Sequence, residues 1–90
     1  MNQIDLTPRQ HEILLLLYGA DDSPKIKNIR NELFKRQSYI EISDSEMEEM
    51  IEDLHVLESK CVANPMITSK QLREVCDLID YIEQFQLVQV

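Results

Sequence analysis

The chain has 90 residues, of which 43% are hydrophobic and 29% charged. That is a globular balance, enough for one small domain over residues 1–90 and too little for a large enzyme. Lys and Arg total 9 against 17 Asp and Glu, a net charge of −8, so phosphates repel the chain at long range. The longest apolar run, residues 13–18, falls well short of the ~20 residues of a membrane span. Residues 1–5 lack the basic and apolar segments of a signal peptide, so a cytoplasmic, intracellular location is expected. One Gly and three Pro leave little turn material for a many-stranded sandwich or barrel.

In chain order, Thr7, Pro8 and Gln10 form a capping box with proline at the first helical position. The helix that follows is apolar on nearly every face across residues 13–17, which predicts burial all round. It is expected to stop at Gly19, the sole glycine, in a left-handed conformation. After a loop at residues 20–24, Ser23-Pro24 repeats the cap-then-proline start. Ile26, Ile29, Leu33 and Phe34 then mark one apolar face, with the basic residues mostly opposite. Residues 39–42 read as a short strand or as loop. Ser43 and Glu46 make a second capping box, and Met47, Met50, Ile51, Leu54 and Leu57 carry a third helix to about Ser59. Two short strands could follow, at residues 61–63 and 66–67, around Asn64-Pro65. Thr68 and Gln71 open a fourth helix, about residues 69–86. Its apolar residues, from Leu72 to Phe85, cover an arc of about 220° at ~100° per residue. One core needs little more than about 100°, so a second burial surface is expected. The tail, residues 87–90, is read as a strand or as packed chain.

Charge is unevenly spread. Lys25, Lys27, Arg30, Lys35 and Arg36 face only Glu32 in residues 25–36, whereas residues 41–60 hold eight acids against Lys60. Glu48, Glu49, Glu52 and Asp53 fall on the outer face of the third helix. Catalytic patterns are missing: two His and two Cys occur without metal-ligand spacing, and a single Gly cannot make a phosphate-binding loop. No enzyme activity, cofactor or metal is therefore expected. Cys61 and Cys76 are expected to be reduced and packed.

The order of these pieces resembles the winged helix-turn-helix repressors of the MarR and PadR types. The first helix is matched by Leu6-Thr7-Pro8-Arg9-Gln10-His11-Glu12 and the leucines after it, the second by Lys27-Asn28-Ile29-Arg30-Asn31-Glu32-Leu33. The third helix and the start of the wing are matched by Ile42-Ser43-Asp44-Ser45-Glu46 through Leu54-His55-Val56-Leu57-Glu58-Ser59-Lys60-Cys61-Val62. The resemblance implies a mainly α, four-helix, winged-helix-like domain. It also implies a short, reduced wing at most and a C-terminal helix of the kind that dimerises such repressors. Three departures stand out. Cys61 replaces the usual glycine, residues 62–68 hold no Arg or Lys, and the helix that should read bases is acidic where Arg, Asn or Gln is normal.

These features point to a small non-enzymatic regulatory protein that binds a protein partner, and the resemblance implies a place in transcription control. The expected contacts are Glu48, Glu49, Glu52 and Asp53, with Leu78, Tyr81 and Phe85 as an edge for a homodimer. One alternative is a DNA-binding regulator using Lys25, Lys27, Arg30, Lys35 and Arg36 on phosphates, which the net charge disfavours. A further alternative is an acidic DNA mimic that inhibits a DNA-binding protein. No membrane contact is expected.

Overall fold

A computed structural model describes residues 2–19, 23–35 and 37–88, apart from the side chains of Lys25, Leu87 and Val88. The elements run β1 (Asn2–Asp5), α1 (Pro8–Tyr18), a 3-10 turn (Pro24–Ile26), α2 (Lys27–Phe34), β2 (Tyr39–Ile42), α3 (Asp44–Ala63) and α4 (Ser69–Val88). The described chain is thus mainly helical and α-rich, with four α-helices and one two-stranded antiparallel sheet. Its contacts group into two compact units, residues 1–46 and 47–90.

In the first unit β1 pairs with β2, Ile4 opposite Ile40 and Gln3 opposite Glu41. Side chains alternate across a strand, so Ile4, Ile40 and Ile42 share the buried face while Gln3, Asp5 and Glu41 are exposed. The ladder continues where the Leu6 N–H donates to the Ser38 carbonyl at 2.8 Å. The strand at residues 2–5 is not legible in the sequence, because four residues with one isoleucine carry no periodic signal. The ambiguity at residues 39–42 is settled by this pairing.

The α1 capping box forms as the residues predict. Gln10 N–H donates to Thr7 Oγ1 at 3.2 Å, and Thr7 N–H donates to Gln10 Oε1 at 2.9 Å. Helix α1 is not buried all round. Ile13, Leu14 and Tyr18 are buried, but Leu16 is 78% exposed. Gly19 is also corrected: it is right-handed, at φ −60° and ψ −29°. Glycine is needed there for space, since a Cβ would lie 2.5 Å from the Leu15 carbonyl oxygen.

Ser23 makes no side-chain cap, and Pro24 opens a 3-10 turn before α2 starts at Lys27. Ile26, Ile29 and Leu33 are buried as their spacing predicts, but Phe34 is half exposed. The third buried residue of α2, beside Ile29 and Leu33, is Glu32. The loop at residues 20–22 lies outside the described residues.

Helix α3 opens on its expected capping box, Ser43 N–H to Glu46 Oε1 at 2.8 Å and Glu46 N–H to Ser43 Oγ at 3.2 Å. It runs past Ser59 to Ala63, so residues 61–63 are helix and not strand. Residues 64–67 form a tight turn. Asn64 Oδ1 accepts from the Met66 N–H at 2.9 Å, and the Asn64 carbonyl accepts from the Ile67 N–H at 3.2 Å. No wing hairpin is present among the described residues. The Thr68–Gln71 capping box then starts α4, which reaches Val88, so residues 87 and 88 are helical; residues 89–90 lie outside the described residues.

In the second unit Met47, Met50, Leu54, Val75, Leu78, Ile79 and Ile82 are buried. Helices α3 and α4 run antiparallel, because their cross-contacts pair His55 with Glu83 and Glu58 with Cys76. Going up one helix means going down the other.

Candidate functional site

The acidic residues project from the side of α3 opposite Met47, Met50 and Leu54. At 100° per residue, Glu48, Glu52 and Val56 fall together on that side, with Glu49 and Asp53 flanking them. Glu48 and Glu52 are exposed, Glu49 and Asp53 half-buried. Val56, 54% exposed, puts an apolar side chain among the carboxylates. Val56 is an addition to the face expected from the acidic residues alone. Its signal was available: a valine out of phase with the buried stripe.

The expected dimer edge on α4 is corrected at one position. Leu78 is fully buried within the chain and so has no surface to offer a partner. Tyr81 and Phe85 are half-buried and meet edge to face, ring centroids 5.0 Å apart. The remaining breadth of the apolar arc is used at Val75, Leu78, Ile79 and Ile82.

The basic residues do not form a set aimed at phosphates. Arg30 Nη2 donates to the Gly19 carbonyl at 3.3 Å, and its guanidinium lies 5.6 Å from the centre of the Phe34 ring. Lys35 Nζ donates to the Glu32 carboxylate. Lys27 is exposed. The Lys25 side chain and Arg36 lie outside the described residues. Two of the five predicted phosphate contacts therefore serve the structure of the first unit.

Glu32 was not singled out in the sequence beyond its charge. Its Oε1 accepts from the Glu41 N–H at 2.9 Å while Lys35 binds the other oxygen. The Lys35 hydrogen bond holds the carboxyl below its ordinary range. Burial works against that shift, and the Glu41 N–H assists it. Lys35 is raised in turn, mainly by its hydrogen bond to Glu32.

The cysteines are free thiols. Cys76 Sγ donates to Glu58 Oε2 at 3.0 Å. That bond, with burial and the neighbouring charges of Glu58, Asp80 and Asp77, pushes the thiol up to about 11. A nucleophilic or metal-binding cysteine needs the opposite shift. Among the described residues no three His, Cys, Asp or Glu side chains are grouped to hold a metal ion.

One concavity went unforeseen. A groove of about 520 Å³ in the first unit is lined by Leu6, Thr7, Pro8, His11, Glu12, Leu15, Gln37 and Ser38. It joins the start of α1 to the residues before β2, a juxtaposition that depends on the β1–β2 pairing. His11 Nε2 donates to the Leu33 carbonyl at 2.7 Å, since a carbonyl can only accept.

No known protein family matches this chain, and no curated protein or solved structure shows significant similarity to it. Among the described residues, no helix is long and apolar enough to cross a membrane.

Proposed function

We propose that this chain is a small, non-enzymatic regulatory protein that binds a protein partner through the outer face of α3. The observation that supports this reading most is the placement of Val56 among Glu48, Glu49, Glu52 and Asp53, on the side of the helix away from its buried stripe. An apolar centre bordered by charge suits a protein surface with a complementary basic rim.

A role in transcription control rests on the resemblance to winged-helix repressors, and the scaffold is the part of it that transfers. Structural use of Arg30 and Lys35 weighs against the alternative of a DNA-binding regulator. Self-association through α4 rests on Tyr81 and Phe85, and light scattering of the parent and Phe85→Lys tests it. A parent of monomer mass, unchanged in the variant, rules it out.

The test of the main reading is affinity capture from the native lysate with nuclease treatment, using the parent and the combined variant E48Q/E49Q/E52Q/D53N. The expected result is a nuclease-resistant partner that the variant no longer captures while its circular dichroism is unchanged. Unchanged capture moves the binding surface elsewhere. Salt-sensitive, sub-micromolar binding of random duplex DNA by the parent favours the DNA-binding alternative. If the captured partner is itself a DNA-binding protein that loses its DNA, the DNA-mimic alternative takes over.

A further inference from the structure

We propose that the outer face of α3 pairs antiparallel with the same face of a second copy of this chain, across a two-fold axis at Val56. This deepens, and rests on, the reading of that face as a protein-binding surface, and it names the partner. At 100° per residue, Glu52 and Lys60 lie about 40° to either side of Val56, and ~6 Å before and after it along the helix. All three are exposed, Val56 by 54%.

Both charges lack a counterpart on their own helix. Lys60 has Val56, Leu57, Ala63 and Asn64 three and four residues away, none of them acidic. Glu52 has two acids on one side, and on the other Val56 and His55, which is held by Glu83 at 3.0 Å. Helical spacing therefore gives neither an opposite charge, and no ion pair engages either among the described residues.

A second copy supplies both counterparts at the right spacing. A two-fold axis at Val56, perpendicular to α3, brings residue 52 of each copy level with residue 60 of the other, and valine meets valine at the centre. More widely, residues 48–53, with their four acids, come level with residues 59–64 of the second copy, which hold Lys60 and no acid. A parallel pair would set glutamate against glutamate and lysine against lysine, so charge selects the antiparallel one. Ser59 and Ala63 are small and exposed on the same face, which lets the two backbones approach. One pair of helix faces buries less than a standard interface, so the dimer is weak and reversible. Two copies at −8 each repel at long range. At physiological salt the screening length of ~8 Å suppresses that repulsion and leaves the facing pairs.

The test is sedimentation equilibrium of the full chain at physiological salt. The parent is expected to show a monomer–dimer equilibrium in the micromolar range. Glu52→Lys sets two lysines against each other at both pairs, and Lys60→Glu sets two glutamates against each other. Each variant alone should therefore dimerise about tenfold more weakly than the parent. An equimolar mixture of the two regains both pairs in a heterodimer and should associate about as tightly as the parent. The double variant E52K/K60E should do the same on its own. Both positions are exposed, so circular dichroism should match the parent throughout. If a single variant does not fold, Val56→Asp sets two carboxylates across the axis and must weaken the dimer in its place. The proposal is overturned by a parent of monomer mass up to ~1 mM, by single variants that dimerise as the parent does, or by a mixture that stays monomeric. A dimer lost in Phe85→Lys and kept in Glu52→Lys overturns it in favour of α4. Lysate capture reads the face independently. A foreign partner lost in E48Q/E49Q/E52Q/D53N keeps α3 as a binding surface even where the parent is a monomer, so failure of the dimer and failure of the face are distinguishable.

Discussion

The Glu32 carboxylate in α2 accepts a hydrogen bond from the backbone N–H of Glu41 in β2, at 2.9 Å. This N–H points away from β1, which makes Gln3 and Glu41 a non-hydrogen-bonded pair in the ladder. A side chain thus satisfies a backbone donor on the outer edge of the sheet, where no further strand follows among the described residues. Glu32→Ala is expected to cost about 1–3 kcal/mol, because the Glu41 N–H loses its partner. Glu32→Gln keeps an acceptor and should cost less. Urea melts of the two variants at neutral pH measure the difference, and equal midpoints would contradict this account.

The same pair sets an acid limb. Glu32 lies below its ordinary value in the folded protein, so its contribution to stability is complete above the unfolded value. That contribution fades as pH falls through the folded one. Lys35, raised by Glu32, contributes below its ordinary value and loses that contribution only in strong alkali. Stability measured from neutral pH downward should therefore fall less steeply in Glu32→Gln than in the parent. Parallel curves would rule the mechanism out.

Gly19→Ala is a second test. In a right-handed helical conformation alanine is ordinarily preferred to glycine. Here the added Cβ meets the Leu15 carbonyl oxygen at 2.5 Å, and backbone cannot move aside as a flexible side chain does. The expected outcome is a loss of about 1–3 kcal/mol, as for other overpacking changes. A variant that melts at or above the parent temperature would show that the turn relaxes freely.

Cys76 should be slow to alkylate. With its thiol pushed up to about 11, the thiolate fraction at pH 8 is roughly a hundredfold below that of an ordinary cysteine. Iodoacetamide labelling followed by peptide mass analysis, run on folded and urea-unfolded protein, reads this directly. Equal labelling rates in the two states would remove the Glu58 hydrogen bond from the account.

Leu54 is fully buried on α3, at the centre of the stripe begun by Met47 and Met50. Leu54→Ala is expected to cost about 2–5 kcal/mol, a large share of the stability of a chain this size. Superimposable thermal melts of variant and parent would refute the stripe.

The residues by themselves determined what is settled within one or two turns of chain. The capping boxes at Thr7, Ser43 and Thr68 each join groups three residues apart. A hydroxyl and a carboxamide or carboxylate at that spacing have few other partners as good. The buried stripe of α3 was legible for a similar reason, since helical geometry alone brings residues 47, 50 and 54 to one side. The acidic outer face came with it, as the complement of that stripe.

Tertiary structure decided everything that depends on distant neighbours. Leu14 and Leu16 stand in one leucine run, yet one is buried and the other is 78% exposed, because burial follows from what packs against each side. Residues 2–5 become a strand only by pairing with residues 39–42. The groove exists only because that pairing brings Gln37 and Ser38 beside α1. Leu78 looked like an edge residue on a helical projection, and the real edge of the buried face lies one position further round, at Tyr81 and Phe85. Glu32 looked like a lone acid in a basic segment. Its role depends on a backbone N–H nine residues away, and no local pattern encodes which distant donor a buried carboxylate will meet.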